Sequence, residues 1–177
     1  MIPSNNVVIQ KAWVVTDVEE AALSWSKALN IGPFFLAEFT PQVFSQVSYR
    51  GQESSLHMKT AIGFVDGVQI ELVEPVGDSP SAFRDVFAQG QAGFHHLCFW
   101  SDDFDADMSH YTNQGFAIAN QGQVVGGGPR FAYLDAMASL GSMIELLERK
   151  PSTEQTFQKW QDIAKAWTPD QDVIVKP

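Results

Sequence analysis

Two stretches of the chain repeat one another, and this repeat limits the possible folds more than any other feature. Residues 7–17 read Val-Val-Ile-Gln-Lys-Ala-Trp-Val-Val-Thr-Asp, and residues 93–103 read Gly-Phe-His-His-Leu-Cys-Phe-Trp-Ser-Asp-Asp. Each is an apolar strand pattern that runs into an aspartate suited to cap a helix. Gln10 precedes Asp17 by seven positions and His96 precedes Asp103 by seven, so Gln10 and His96 are equivalent positions 86 residues apart. We therefore expect two copies of one structural unit.

A helix is predicted after each of these strands, because apolar residues recur there with helical spacing. The stripe of the first helix is Val18, Ala22, Trp25 and Leu29, ending before Gly32-Pro33, and that of the second is Phe104, Met108 and Tyr111, ending before Gly115. Asp17 and Asp103 are the expected N-caps of the two helices.

Each unit closes with a matching strand that carries a glutamate in its apolar centre. Both strands read Gly-x-x-Ile-Glu-Leu-hydrophobic-Glu, which places Glu71 and Glu145 at equivalent positions. An unpaired carboxylate in such a strand costs several kcal/mol, so its burial needs a reason. A divalent cation held jointly by Gln10, Glu71, His96 and Glu145 would supply that reason, because two carboxylates neutralise the cation while an amide and an imidazole complete its shell.

The segments between these motifs complete the two units. Strands are predicted at residues 34–39, 56–64 and 131–135, a tight turn at Asp66-Gly67 and a flexible loop at residues 121–130. Residues 43–49 have a strand pattern, but residues 50–55 have loop composition. After Arg149 the pattern predicts a terminal helix that opens with a capping box at residues 152–155 and carries Phe157, Trp160, Ala164 and Trp167 on one face. The two tryptophans are expected to pack on the protein or on a second subunit rather than to bind a ligand.

Composition limits the partners. A net charge of −10 and a pI near 4.6 disfavour binding to nucleic acid or an anionic membrane. Residues 1–6 lack the pattern of a secretion signal and no apolar run reaches the length of a membrane span, so a cytoplasmic protein is expected. Cys98 is a single cysteine in an apolar strand and is expected to be an inert buried thiol.

From roughly Val7 to Arg149 the chain resembles the vicinal oxygen chelate superfamily, which includes glyoxalase I, methylmalonyl-CoA epimerase, extradiol dioxygenases and bleomycin-resistance proteins. Gln10, Glu71, His96 and Glu145 fall on its four metal-ligand positions, and this set is similar to that of zinc-type glyoxalase I. The short helix pattern before Gly93 and the following Gly-x-His-His sequence instead resemble the epimerases.

The resemblance implies an α+β fold in which two βαβββ modules form a curved mixed sheet around a metal cleft, followed by a C-terminal helix. In this single domain we expect the first module at residues 5–76, a linker with a short helix at 77–92, the second module at 93–150, and the terminal helix and tail at 151–177. Because modules of this superfamily often pair across a dimer, a homodimer is also expected.

The resemblance further implies a metal-dependent enzyme of the glyoxalase or epimerase type, a lyase or isomerase that removes a proton next to a metal-chelated carbonyl of a small molecule. Glu145 is the candidate base, and Glu71 would stay a ligand or return the proton from the opposite face. The metal is expected to be Zn, Ni or Co, with Mn or Fe also compatible with these ligands.

Two other functions stay open at this point. One is an extradiol-type dioxygenase, although its iron normally needs two histidines and Gln10 breaks that set. The other is a non-catalytic, resistance-type binding protein, a class that usually lacks the four ligands. A glutathione site or a phosphate-binding patch for CoA is not evident among the few basic residues.

Overall fold

The computed structural model describes residues 7–176, and residues 1–6, for which the sequence predicts no secretion signal, lie outside this range. The helices of the described chain are α1 (Val18–Leu29), α2 (Ala82–Val86), α3 (Phe104–Asn113), α4 (Met137–Leu140) and α5 (Pro151–Ala166). Its strands are β1 (Val8–Val14), β2 (Phe34–Phe39), β3 (Phe44–Tyr49), β4 (Gln52–Glu53), β5 (Met58–Val65), β6 (Val68–Pro75), β7 (Gly93–Ser101), β8 (Ala117–Val124), β9 (Arg130–Ala136), β10 (Ser142–Glu148) and β11 (Ile174–Val175). No helix within residues 7–176 is both long and apolar enough to cross a membrane.

These strands form one mixed sheet in the order β11-β2-β5-β6-β1-β7-β10-β9-β8-β3-β4. The order is symmetric about the central antiparallel pair of β1 and β7, with β6, β5 and β2 on one side and β10, β9 and β8 on the other. The predicted α+β fold with two βαβββ modules in a curved mixed sheet and a C-terminal helix is thereby confirmed.

The register of the central strands has the same symmetry as the sequence repeat. Gln10 pairs with Cys98 and Ala12 with His96, so exchanging the two strands maps one pair onto the other. Ala12 also pairs with Glu71 of β6, as Cys98 pairs with Glu145 of β10. The two glutamates therefore occupy equivalent places beside the central pair.

The sheet curls strongly, because its two ends are joined by a few residues of chain. β2 and β3 lie near opposite ends of the strand order, yet only residues 40–43 separate them, and the rings of Phe39 and Phe44 are 5.9 Å apart. β3 leaves the first module and pairs with β8 of the second. The strand pattern at residues 43–49 thus corresponds to β3, and this strand closes the sheet into a half-open barrel.

Helices α1 and α3 cover the convex face of the sheet. Val18 and Ala22 of α1 pack against Ile70 and Leu72, and α3 packs in the same way against the second module. Because side chains alternate along a strand, Glu71, between Ile70 and Leu72, points to the concave face. Glu145 lies between Ile144 and Leu146 in the same arrangement.

Both predicted aspartate caps are formed, since Asp17 accepts a hydrogen bond from the Glu20 N–H at 2.9 Å and Asp103 accepts from the Ala106 N–H at 3.1 Å. The apolar face predicted for α1 is wrong at its last residue, Leu29. Leu29 is 54% exposed because the helix ends at Asn30, whose left-handed backbone turns the chain away.

The predicted capping box of α5 is not formed. The N-cap is Lys150, which makes no side-chain cap, and Pro151 takes the first helical position, for which its fixed φ is suited. Glu154 instead forms an ion pair with Arg149, whose Nε lies 3.0 Å from Glu154 Oε1. The predicted loop at residues 121–130 is also partly wrong, because β8 continues to Val124 and leaves only a short turn before β9.

Candidate metal centre

The four predicted ligand residues lie on the concave face of four adjacent strands. Glu71 is on β6, Gln10 on β1, His96 on β7 and Glu145 on β10. All four are buried, and none is more than 8% exposed. The structure therefore brings the predicted residues to neighbouring positions of one buried surface, while metal ligation by them stays a prediction.

Three of these residues place potential ligand atoms close together. His96 Nε2 lies 3.0 Å from Glu145 Oε2 and 3.6 Å from Glu71 Oε2. One ligand atom from each residue lies within 4.8 Å of the other two, a spacing that a single cation could bridge. These atoms come from both modules, so the candidate centre lies where the two halves of the sheet meet.

Although the Glu145 carboxylate is near, His96 Nε2 makes no hydrogen bond with any described residue. The oxygen is within reach but not in the direction in which an N–H on that ring nitrogen would donate. A fully buried ring nitrogen without a hydrogen-bond partner is unusual and needs an explanation.

The explanation begins with the neighbouring ring of His95, which is also fully buried. His95 Nε2 is 3.0 Å from the carbonyl oxygen of Ala82, and because a carbonyl only accepts, this nitrogen carries the proton. Burial is the main cause that lowers the pKa of His95 to about 3, so the ring is neutral and its Nδ1 is an acceptor.

This assignment fixes the proton of His96. The Nδ1 atoms of the two histidines are 2.9 Å apart, so the Nδ1–H of His96 donates to the unprotonated Nδ1 of His95. In its neutral form, the form in which an imidazole binds a metal ion, His96 has a lone pair on Nε2, which lies close to the carboxylates of Glu71 and Glu145. Such an arrangement is repulsive by itself and favourable around a cation, so the residues present fit a divalent metal ion.

The electrostatics of the carboxylates agree with this interpretation. Burial, together with the negative charge of Glu145, raises the pKa of Glu71 well above its ordinary value. Two carboxylates so close together in a buried site resist ionising at once unless a cation compensates them. Burial also raises the pKa of the Cys98 thiol beside Glu145, which keeps this cysteine protonated as expected.

Gln10 is held by a residue that the sequence analysis missed. Its Nε2 donates a hydrogen bond of 3.0 Å to the side-chain oxygen of Gln69 on β6. Because the Nε2 of Gln10 is used in this bond, the amide oxygen of Gln10 is the side-chain atom that could bind a cation. The signal for Gln69 was available, because it is a polar residue two positions before Glu71 on the same face of an apolar strand.

Tyr133 and Asn120 were also missed as parts of the site. Tyr133 pairs with Glu145 across β9 and β10, and its ring packs on that of His96 with the centroids 5.2 Å apart. Asn120 accepts a hydrogen bond from the N–H of Ala82, the residue that anchors His95. Neither role has a local sequence signal, because each depends on contacts between distant strands.

A cavity of about 310 Å³ opens onto the candidate centre. Gln10, Glu71, Glu145 and Tyr133 lie in its wall, so a small molecule in the cavity would be next to the buried carboxylates. Three other polar residues that could serve a substrate lie outside the lining of this cavity. Arg130 is paired with Asp105 and Glu148, His57 contacts Glu38, and Glu53 is an exposed residue of β4.

Comparison with known proteins agrees with this fold. A hypothetical protein from Bacillus halodurans C-125 is similar with a TM-score of 0.61 at 19% identity, over 83% of this chain and 96% of that one. Methylmalonyl-CoA epimerase from Mycobacterium tuberculosis is similar with a TM-score of 0.61 at 17% identity, over 88% and 95% of the two chains. A Streptomyces coelicolor methylmalonyl-CoA epimerase variant in complex with 2-nitronate-propionyl-CoA reaches 0.57 at 18% identity, over 82% and 98%.

A search of curated protein sequences finds no match. Residues 9–133, more than half of the chain, match the Glyoxalase/Bleomycin resistance protein/Dioxygenase superfamily. This match agrees with the resemblance that the repeated strands indicated and with the fold of the solved structures. The chain belongs to the glyoxalase/bleomycin resistance protein/dioxygenase superfamily.

Proposed function

We propose that this protein is a divalent-metal-dependent enzyme of the lyase or isomerase type, which removes a proton from the carbon next to a carbonyl of a small molecule. The observation that carries this proposal is the buried Nε2 of His96, which has no hydrogen-bond partner among the described residues and lies beside the carboxylates of Glu71 and Glu145. The cavity beside these groups supplies the space for a substrate.

Gln10, Glu71, His96 and Glu145 would hold the cation, with one nitrogen and three oxygen ligands. This set suits Zn, Ni or Co, and Mn or Fe is also compatible. A bound cation would polarise the substrate carbonyl and stabilise the negative charge that develops on its oxygen.

Glu145 is the proposed base. Its carboxylate lies in the cavity wall, within reach of a substrate carbon, and Tyr133 and Cys98 surround it with protonated groups that bear no charge. The electron pair of the broken C–H bond stays on the substrate, and the proton moves to the carboxylate. Glu71, in the same cavity wall but on the other module, is proposed to remain a ligand or to return the proton from the opposite face.

The two other functions raised by the sequence have less support. An iron site of the extradiol type normally takes two histidines, whereas the residues brought together within 7–176 supply one histidine and two glutamates. A binding protein without catalysis has no need for two carboxylates buried around an imidazole, because their burial costs stability.

Further expectations stay proposals beside the function. They are the division at residues 5–76, 77–92, 93–150 and 151–177, the homodimer and the cytoplasmic location. Light scattering coupled to size exclusion would test the homodimer directly.

Solvent deuterium exchange tests the proposed function before the natural substrate is identified. In deuterated water, metal-loaded protein should catalyse the exchange of deuterium into a small hydroxyketone, at the carbon next to the carbonyl. Removal of the metal by a chelator should abolish this exchange. Exchange that continues unchanged after metal removal would contradict the proposal, and so would failure of every hydroxyketone that binds.

A further inference from the structure

The terminal helix α5 forms part of the cavity wall. The α5 residues in the lining are Ser152, Thr153, Thr156, Phe157 and Trp160. They recur at intervals of three and four positions, so they form one face of the helix. One side of the cavity is therefore formed by an element that lies beyond the matched superfamily region, which ends at residue 133.

Aromatic contacts hold α5 across both halves of the sheet. Trp160 stacks on Phe35 of β2 with the ring centroids 4.8 Å apart and nearly parallel planes. Phe157 packs on Trp100 of β7 at 5.6 Å. The helix thus bridges the first and second modules. Trp160, which was expected to pack on the protein or on a second subunit, also lines the cavity.

The wall that α5 completes is mainly apolar. The apolar lining residues are Ala37, Phe39, Phe44, Met58, Ile62, Val124, Pro129, Phe131, Leu147, Phe157 and Trp160. Among the described residues, Glu71 and Glu145 are the charged members of the lining, and no lysine or arginine reaches it. The undescribed residues 1–6 and 177 include no lysine or arginine either.

The arginines elsewhere in the chain are already engaged. Arg50 binds Asp85 and Asp135, Arg130 binds Asp105 and Glu148, and Arg149 binds Asp102 and Glu154. Arg84 donates to the carbonyl oxygens of Pro75 and Gly77. With a net charge of −10, the protein offers little attraction to a carboxylate or a phosphate.

The cavity volume of about 310 Å³ is at the lower end of the range found for small-molecule sites. This space suits a compact molecule with one aromatic ring, and its walls suit apolar surface. A buried carboxylate of a ligand would meet two glutamates and no cation beyond the metal ion, which costs several kcal/mol.

We propose, on the basis of the proposed function, that the substrates are uncharged carbonyl compounds with a neighbouring oxygen and an apolar, aromatic body, and that carboxylate- and phosphate-bearing carriers are excluded. The metal ion and its ligands would receive the two oxygens, and α5 would cover the apolar body. Ser152 and Thr153, which belong to the wall, would offer their hydroxyls to neutral polar groups of the substrate.

Calorimetric titration of the full chain loaded with Zn²⁺ tests this inference with three probes. They are 2-hydroxy-1-phenylethanone, its 4-carboxylate and propionyl-CoA. The neutral ketone should bind about tenfold or more tightly than either charged probe, because a charge at this site is desolvated without compensation. Equal or tighter binding of the carboxylate or the thioester would overturn the inference, and so would failure of the neutral ketone to bind.

A charge placed on α5 sharpens the test. Thr156 is an exposed residue at the cavity wall, so Thr156→Arg adds a cation there without burying it. This variant should bind the 4-carboxylate about threefold to fivefold more tightly than the wild type does. Gln155→Arg adds the same charge one position away, outside this cavity, and should leave the binding unchanged. An equal gain in affinity for the 4-carboxylate in both variants would overturn the placement of the ligand beside α5.

Deuterium exchange of the same probes separates this inference from the proposed function. If the neutral ketone binds selectively but does not exchange, the substrate class stands and the proposed chemistry fails. If the charged probes bind and exchange as well as the ketone does, the chemistry stands and the substrate class fails.

Discussion

His95 and His96 face each other through their Nδ1 atoms at 2.9 Å, and this contact determines which nitrogen of His96 is free for a metal ion. The carbonyl oxygen of Ala82 holds the proton of His95 on the far side of its ring. His95 therefore positions the candidate ligand His96 without reaching the candidate centre itself. The two adjacent side chains can contact each other because the register of β1 and β7 shifts between Ala12 and Trp13, which leaves His95 without a partner on β1.

Replacement of His95 tests this role. His95→Leu removes the acceptor for the His96 Nδ1–H and should weaken metal binding by about 10-fold to 100-fold, although all four candidate ligands remain. His95→Asn keeps a short acceptor near the position of Nδ1 and should lose less. Competition against a chelator of known affinity measures both variants. Unchanged affinity in His95→Leu would show that the contact does not orient His96.

Glu71→Gln should stabilise the protein when no metal is bound. The ordinary pKa of a glutamate is 4.5, so the unfolded state releases the Glu71 proton above that pH. Because the pKa of Glu71 is raised in the folded state, the folded protein still holds this proton there. The stability contributed by this proton is complete at lower pH and is lost as the pH rises through the raised pKa. In chelator-treated protein at pH 8, Glu71→Gln should therefore be more stable than the wild type by about 1 to 3 kcal/mol.

Denaturant unfolding across pH measures this difference, which should shrink towards pH 4 as wild-type Glu71 is protonated. The same variant should bind metal more weakly, because an amide replaces a charged ligand. A chelator-treated variant that is less stable than the wild type at pH 8 would contradict the unfavourable burial inferred for Glu71.

Glu145→Gln separates the proposed base from the ligands. The amide keeps an oxygen and the shape of the side chain but cannot accept the proton, so exchange should fall by about 10²-fold to 10⁴-fold while much of the metal is retained. Glu71→Gln is the matched comparison, because the two glutamates occupy equivalent places beside the central strands. If Glu145→Gln exchanged at the wild-type rate and Glu71→Gln did not, the base would be assigned to the wrong module.

Trp160→Ala should loosen α5 without unfolding the sheet. No residue of α5 is fully buried, and the stack on Phe35 is one of its two aromatic anchors. Hydrogen exchange of residues 151–166 should become faster, while that of the central strands stays near the wild-type rate. Unchanged protection of α5 would mean that its other contacts suffice, and loss of protection throughout the sheet would mean that the helix is part of the core.

The residues with a repeated local pattern were the ones that the sequence predicted well. Gln10 and His96 share a spacing to a helix cap, and Glu71 and Glu145 share a strand motif, so the repeat itself indicated a common location. The Asp66-Gly67 turn was predicted for a local reason too, since both residues adopt the positive φ that a two-residue hairpin requires.

Features that depend on distant contacts were not predictable in this way. The pairing of β3 with β8 follows from the curl of the whole sheet, which no pattern in residues 44–49 encodes. The cap of α5 was predicted wrongly because Pro151 and the Arg149–Glu154 ion pair compete with the Ser152 box. The roles of His95 and Tyr133 likewise appeared only when their neighbours from other strands were in place.

Metal analysis of the full chain, purified without chelator and then supplied with Zn, Ni or Co, tests the central claim most directly. We expect about one divalent ion per chain in the wild type, and a large loss of that ion in His96→Ala, which removes the single nitrogen ligand of the proposed set. A wild type that binds none of these ions, or a His96→Ala variant that holds them as tightly as the wild type, would contradict it.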